Sequence, residues 1–217
     1  ALWYNALKIM EVLSKKYEKL GKRILSKKYS QMAEECKESF NKKFYNGRRK
    51  CLYDVIGDGK IRPNQLFSLA LTYPVVDPSS EMAENIINVV EKKLLNNYGL
   101  KTLAKGEKNY VDVYEGDGFR RDASYHQGIT WPWLLGLYYN SLRNMKAFAK
   151  DKEKKKAVAT KIDEFKKRTE KTFRKEMNES GCIGSISELY DSKTPYLPKG
   201  ALAQGWSVAE VFRIIFG

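Results

Sequence analysis

Apolar residues recur at helical spacing in seven stretches of this chain, and no stretch alternates convincingly as a strand does. The periodic stretches are 2–20, 28–44, 64–73, 79–97, 132–149, 152–177 and 200–216. The short alternation YVDVYE at 110–115 is compatible with an extended loop or a small strand, but it has no obvious strand partner. The pattern predicts an all-α protein of about seven helices.

Three long loops at 51–63, 109–132 and 181–200 share a composition rich in glycine, acidic residues and aromatics. Pro63, Pro132 and Pro198 stand near the start of a following helix, where a missing N–H costs little. They are 69 and 66 residues apart, the length of two helices with two connections. This spacing predicts a repeated two-helix unit, with all three loops converging on one face.

The predicted helices differ in how much of their surface is apolar. The helices at 131–139 and 201–216 are apolar almost all round, as inner helices are, whereas 152–177 has a narrow apolar stripe and a wide charged face. We therefore expect an incomplete (α/α)6 toroid with inner/outer alternation, forming a single domain over 1–217. A partial toroid leaves an apolar edge, through which we expect a dimer. The chain starts at Ala1, directly within a helix, and we expect it to be a fragment.

Net charge does not change this picture, although 40 Lys and Arg against 26 Asp and Glu give +14. The basic residues alternate with acidic ones at helical spacing, which is typical of a solvated helix face. No motif of nucleic-acid recognition accompanies them, so we expect no nucleic acid as partner. No apolar run approaches the roughly 18 residues of a membrane helix, so we expect no membrane as partner. The three cysteines show no disulfide or zinc spacing, which indicates a reducing, cytoplasmic compartment. We expect neither a cofactor nor a metal.

A single histidine, His126, excludes a two-histidine zinc site within this sequence, and no GxSxG motif supports nucleophilic acyl chemistry. Glu188 is more promising, because it follows a Gly/Ser-rich turn and precedes an aromatic residue in the third loop. A carboxylate on a constrained loop can serve as a general base. From spacing alone, a turn-capping or ion-paired role for Glu188 is equally compatible.

Further polar and aromatic residues in the loops could bind a sugar. Carboxylates, Arg and His bind vicinal hydroxyls, and flat aromatic rings cover the C–H face of a pyranose. We expect one of Trp131 and Trp133 to be core and the other to line a pocket, and Asn64 has a helix cap as its alternative role. The predicted substrate contacts are Arg62, Asn64, Gln65, Asp122, Tyr125, His126, Trp131, Gln204 and Trp206.

Five segments, ALWYNAL, IRPNQLFSLAL, YHQGITWPWLLG, GSISELYD and GALAQGWSVAEVFR, give the chain a resemblance that covers nearly its whole length. It resembles the amylo-α-1,6-glucosidase region of glycogen-debranching enzymes, which are similar to other (α/α)6-toroid glycosidases. The resemblance implies inverting hydrolysis of the α-1,6-linked glucose at branch points of glycogen or a related α-glucan. It maps the general base onto Glu188.

The same resemblance puts the general acid, an aspartate, on a loop ahead of the helix that begins ALWYNAL. Neither Asp54 nor Asp122 stands at that position, so neither is assigned as the acid. We therefore expect this chain alone to be nearly inactive. Two other interpretations stay open at this stage: a non-catalytic glucan-binding helical domain, and a basic nucleic-acid-binding protein suggested only by the net charge.

Overall fold

The computed structural model of the chain describes residues 1–19 and 25–217, and in these residues it contains eight α-helices and a short 3₁₀ helix at Pro63–Leu66. The predicted end of the first helix near residue 20 and the connection at 21–23 lie outside the described residues. The helices are α1 (Leu2–Glu18), α2 (Ser26–Phe44), α3 (Phe67–Ala70), α4 (Glu81–Lys93), α5 (Gly118–Ser124), α6 (Leu134–Phe148), α7 (Lys152–Glu179) and α8 (Gly205–Phe216).

Helix α6 lies at the centre of the packing, because α3, α7 and α8 all contact it. Its sequence explains this position: LLGLYYNSL is apolar on most sides, and seven of these nine residues are buried. By contrast, α7 buries only a stripe, which includes Ile162, Phe165 and Phe173, and most of its charged residues are exposed, Glu176 being a buried exception. The two helices therefore differ in burial, with α6 buried over much of its surface and α7 over a stripe.

Two small antiparallel sheets correct the all-α prediction, so the molecule is a helical domain with short strands. The first pairs β1 (Tyr45–Asn46) with β2 (Cys51–Leu52). The second has the order β3–β4–β5–β6, from Leu100–Lys101, Thr130–Trp131, Leu189–Tyr190 and Pro198–Lys199. Because β4, β5 and β6 belong to the second and third predicted loops, this sheet holds those two loops side by side.

Some element bounds also differ from the prediction. The predicted helix at 64–73 is a 3₁₀ turn followed by the single turn of α3, and the last helix begins at Gly205 because β6 and a turn occupy 198–204. Helix α5 was not predicted; the Asp117 side chain caps it by accepting a hydrogen bond from Arg120 N at 2.9 Å. Among the described residues, no helix combines the length and hydropathy needed to cross a bilayer.

Candidate active site

Glu188 lies immediately before β5, and both oxygens of its half-buried carboxylate have hydrogen-bond donors. The Tyr125 hydroxyl donates to Oε1, and the backbone N–H of Ala201 donates to Oε2 at 3.0 Å. The Glu188 N–H in turn donates to the Ala201 carbonyl at 2.8 Å. The carboxylate is therefore fixed between the second loop and the turn that follows β6.

Gly200 allows this close approach. Its φ of +71° lies in the left-handed region, and a Cβ at this position would overlap Oε2 of Glu188. A Cβ would also come within 3.1 Å of the Glu188 Cβ. Glycine is thus required here for two reasons, the backbone conformation and the space that the carboxylate occupies.

Strand β5, which follows Glu188, is anchored to α7 through Tyr190. Tyr190 is fully buried, and its hydroxyl donates to Oε1 of the buried Glu176 on α7 at 3.0 Å. Its ring centroid lies 4.7 Å from that of Tyr98. Burial, together with the Glu176 carboxylate, raises the pKa of Tyr190, so its hydroxyl remains a donor at neutral pH.

Tyr125 sits in a group of aromatic rings. Its ring centroid is 4.6 Å from Trp131 and 4.8 Å from His126, both in edge-to-face geometry, and 5.8 Å from Tyr114. Desolvation raises the pKa of Tyr125, and the Glu188 carboxylate raises it further. The protonated hydroxyl is the form that donates to Glu188.

A cavity of about 300 Å³, here called the aromatic cavity, has Tyr125 in its wall. Glu188 itself does not line it and is connected to it through Tyr125. Its walls come from the end of the first loop and the 3₁₀ helix, from the residue after β3, from the second loop, and from the starts of α6 and α8. They are Arg62, Pro63, Asn64, Thr102, Tyr125, His126, Trp131, Trp133, Leu134 and Trp206. Six of the predicted substrate contacts, all except Gln65, Asp122 and Gln204, are among them.

Arg62 ties the first loop to the second. Its guanidinium donates to the carbonyls of Thr102 at 3.0 Å and His126 at 2.7 Å, and to Oε1 of Gln127 at 3.0 Å. Its Nε also lies 3.7 Å from a carboxylate oxygen of Asp54. Arg62 therefore both lines the aromatic cavity and holds its shape.

Asp54 was not among the predicted site residues, yet it belongs to the same network. It accepts a hydrogen bond from the Asn64 amide at 2.8 Å in addition to its contact with Arg62. The amide end of Asn64 thus faces a carboxylate instead of capping the helix backbone. From the sequence, Asp54 was considered only as a general acid, because no local pattern shows that a carboxylate at position 54 meets Arg62 and Asn64.

The two tryptophans of the WPW segment both line the aromatic cavity but differ in exposure. Trp131 is only 3% exposed, and its Nε1 donates to the Tyr125 carbonyl at 3.1 Å. Trp133 is half-buried and stacks on Trp206 with centroids 5.8 Å apart, while Trp206 is 47% exposed. Trp133 and Trp206 therefore offer the open aromatic surface, and Trp131 supports them from behind.

His126 closes one side of the aromatic cavity. Its ring stacks on Trp131 at 5.5 Å, and its pKa is lowered, first by partial burial and second by the positive charge of Arg62. Asp122 opposes this shift without cancelling it. At neutral pH the imidazole is therefore uncharged and able to donate from one nitrogen and accept at the other.

Three predicted substrate contacts lie elsewhere. Gln65 is buried, and its side-chain amide donates to the Arg62 carbonyl at 2.9 Å and accepts from Leu52 N at 3.4 Å. Both ends of the amide are therefore hydrogen-bonded to the backbone. Asp122 is exposed on α5, and Gln204 is the N-cap residue of α8. Neither Asp122 nor Gln204 lines the aromatic cavity.

In the described part of the chain, no cluster of three His, Cys, Asp or Glu has metal-binding geometry.

Comparison with known proteins agrees with this helical architecture. A solved structure named "Sialidase" superposes with a TM-score of 0.67 at 14% sequence identity. The match covers 97% of this chain and 19% of that protein, and at this identity it shows a shared fold. The family model described as amylo-alpha-1,6-glucosidase matches residues 1–213. With nearly its whole length matched, the chain belongs to the amylo-alpha-1,6-glucosidase family.

Proposed function

We propose that this chain supplies the general base and much of the sugar pocket for hydrolysis of α-1,6-linked glucose at branch points of glycogen. The observation that carries this proposal is the fixed carboxylate of Glu188. Tyr125 and Ala201 N each donate to one of its oxygens, and Tyr125 also forms a wall of the aromatic cavity. A general base needs a fixed position within reach of the reacting sugar, and Tyr125 connects the fixed Glu188 carboxylate to the wall of the cavity.

In the proposed mechanism the aromatic cavity binds the branch glucose. Trp133 and Trp206 cover an apolar face of the ring, and Arg62, Asn64 and His126 provide hydrogen-bonding groups for its hydroxyls. Glu188 takes a proton from a water molecule as the water oxygen attacks the anomeric carbon. The bond to the 6-oxygen of the main chain breaks, and that oxygen receives a proton from the general acid.

Inversion at the anomeric carbon requires room for the water between the two carboxyl groups, which are about 6.5–9.5 Å apart in inverting enzymes. We infer from the family resemblance that the general acid lies on a loop ahead of α1. Asp54 is held by Arg62 and Asn64 and is not assigned this role. The chain by itself is therefore expected to be nearly inactive.

We further infer that the described helices are the C-terminal part of an (α/α)6 toroid over 1–217. Two features support this inference. Helix α6 is surrounded by α3, α7 and α8, as an inner helix of a ring is. The second and third loops also meet in one four-stranded sheet next to Glu188, as expected when alternate helix junctions share a face.

The test compares Glu188→Gln with Glu164→Gln in the full protein that carries this chain. Glu164 is an exposed carboxylate on α7, so its substitution controls for a general change of charge. With branched limit dextrin as substrate, we expect Glu188→Gln to lower the rate of free glucose release by roughly 10²–10⁴-fold and Glu164→Gln to leave it unchanged. An unchanged rate in Glu188→Gln would disprove the assignment. A wild-type protein that binds glycogen but releases no glucose would instead be a glucan-binding domain.

A further inference from the structure

A second cavity, here called the outer groove, has a volume of about 800 Å³ and lies beside the aromatic cavity. Its walls come mainly from segment 109–116 and from α5. The turn after α5 separates the two cavities: Ser124 and Gln127 line the outer groove, whereas Tyr125 and His126 line the aromatic cavity. A ligand in the outer groove would therefore lie one turn of backbone away from the proposed position of the branch glucose.

The wall of the outer groove is fixed to the site. Val111 N donates to the Gln127 carbonyl at 2.6 Å, and Ser192 N donates to the Asp112 carbonyl at 2.8 Å. The first bond joins the wall to the turn that carries Tyr125, and the second joins it to the segment just after β5. The outer groove is thus preformed, which lowers the conformational cost of binding a ligand there.

The chemistry of the lining favours a neutral, hydroxyl-rich ligand. Two carboxylates, Asp112 and Glu115, are balanced by Arg120 and Lys193, so the outer groove has no net charge to attract an anion or a cation. Charged side chains of both signs are good partners for hydroxyl groups. Among them stands Phe119, with 84% of its surface exposed. A ring this exposed offers a flat apolar face of the kind that packs on the C–H face of a sugar.

We propose that the outer groove binds a linear α-1,4-linked glucan chain, with Phe119 stacked on one sugar and the four charged side chains bound to hydroxyls. Its volume falls within the range of about 300–1,000 Å³ that is typical of small-ligand sites. The choice of α-glucan as the ligand class follows from the proposed function of the neighbouring site. The outer groove would hold the polymer near the aromatic cavity and so favour long-chain substrates.

The experiment uses Phe119→Ala in the full protein, with Phe148→Ala as its matched control. Both phenylalanines are exposed, but Phe148 ends α6, about 20 Å along the helix from the cavity residue Leu134. The affinity for the linear oligosaccharide maltoheptaose is measured by calorimetry, and KM is measured with branched limit dextrin. We expect Phe119→Ala to weaken the affinity and raise KM by roughly 2- to 10-fold, and Phe148→Ala to change neither.

The salt dependence of binding tests the ligand class. A neutral glucan should bind nearly as well at 0.5 M salt as at 0.05 M salt. Over this range the Debye length falls from about 14 Å to about 4 Å, which would weaken binding that depends on long-range charge attraction. Maltoheptaose affinity that collapses in salt would contradict a site built on stacking and hydroxyl contacts. If Phe119→Ala binds maltoheptaose as tightly as Phe148→Ala does, the outer groove is not the binding site.

The readouts separate this inference from the proposed function. In one outcome Glu188→Gln lowers glucose release but Phe119→Ala does not change the affinity for maltoheptaose. This outcome would support the hydrolase assignment and overturn the outer groove as a binding site. Phe119-dependent binding of maltoheptaose by a protein that releases no glucose would support the outer groove and overturn the hydrolase assignment. Circular dichroism of the Phe119 variant checks its fold, which truncating so exposed a side chain should not change.

Discussion

Two regions of this molecule expose large apolar side chains, and they do so in different ways. At the aromatic cavity, Trp133 and Trp206 stand beside groups whose positions are set by hydrogen bonds, such as the Arg62 guanidinium on the His126 carbonyl. On α1, one face buries residues against α2, and another is apolar and open. The exposed apolar residues of α1 are Leu2, Trp3, Ile9, Met10, Val12, Leu13 and Tyr17.

The difference shows that exposed aromatic surface does not by itself identify a ligand site. A sugar needs both an apolar face and directed polar groups, and the aromatic cavity supplies them together. A continuous apolar helix face is better matched to another helix, because two such faces bury each other's surface without leaving polar groups unpaired. Substitutions should therefore affect chemistry in the first region and association in the second.

The largest effect is expected at Gly200, because its Cβ position is occupied by the Glu188 carboxylate. In Gly200→Ala the carboxylate must move, and displacement of a catalytic group by about 1 Å can cost about 10²-fold in rate. We expect a loss of that order in kcat for glucose release, measured at saturating limit dextrin.

Gly184→Ala is the matched control for the backbone conformation. Gly184 lies in the same loop with a φ of +79°, close to the +71° of Gly200, but its Cβ position meets nothing within 4 Å. Both variants should lose about 1–2 kcal/mol of stability from left-handed strain. Equal activity in the two variants would show that the contact with Glu188 has no catalytic consequence.

Tyr125→Phe should have the next largest effect. It removes the hydroxyl that donates to Glu188 but keeps the ring against Trp131. A hydrogen bond to a charged group contributes about 1.5–3 kcal/mol, so we expect kcat to fall roughly 10- to 100-fold. Tyr138→Phe is the control, because it deletes a similar bond, from Tyr138 to Glu91 at 2.6 Å, outside the site.

The pH dependence refines the Tyr125 prediction. Because the pKa of Tyr125 is raised above its ordinary value of 10.0, its hydroxyl stays protonated at neutral and moderately alkaline pH. The sign of the shift means that the bond to Glu188 is present below pH 10 and is lost only as the pH rises through the raised value. The rate profile of the wild-type protein between pH 6 and about 9 should therefore contain no step from Tyr125. A step in the wild-type rate profile between pH 6 and about 9 that is absent in Tyr125→Phe would contradict this prediction.

The parts of the fold that the sequence predicts are those specified locally. The long helices α2, α4, α6 and α7 follow from apolar periodicity, and α4 and α7 are also capped by Ser80 and Asp151. The two-residue strands are not predictable in this way, because each depends on a partner far away in sequence, such as Thr130 with Tyr190. Helix α5 is too short for periodicity to detect, although the cap residue Asp117 was a usable signal.

For the site, the sequence predicts which loops contribute but not which way each side chain points. Gln65 and Asn64 are adjacent polar residues with the same apparent role, yet Gln65 is buried on backbone groups and Asn64 faces the cavity. Trp131 and Trp133 are two residues apart, and β4 pairing turns the first inward. Contacts outside the local sequence contribute in both cases, with Leu52 N for Gln65 and strand pairing with Leu100 for Trp131, so no local pattern contains the answer.

Trp131 is buried and Trp206 is half-exposed, so truncating the two rings should have different consequences. Trp131→Ala removes a ring that is 3% exposed and should destabilise the fold by about 3–5 kcal/mol, seen as a lower melting temperature. Trp206→Ala removes a half-open ring and should raise KM several-fold while lowering stability by less than Trp131→Ala does. The reverse outcome would mean that Trp131 contacts the sugar and Trp206 is structural.

The smallest effect concerns the apolar face of α1, where we propose that two copies of the isolated chain associate. Val12 is half-exposed on this face, and replacing it with lysine puts a charge where apolar contact is expected. Light scattering of the isolated chain should give a dimer at high concentration, and Val12→Lys should shift the equilibrium toward monomer. Lys16→Glu, which changes charge on the same helix without removing apolar surface, is the control.

A wild-type chain that stays monomeric at high concentration would show that exposure of the apolar face of α1 does not lead to self-association. The contrast between the two regions would then rest on the aromatic cavity alone.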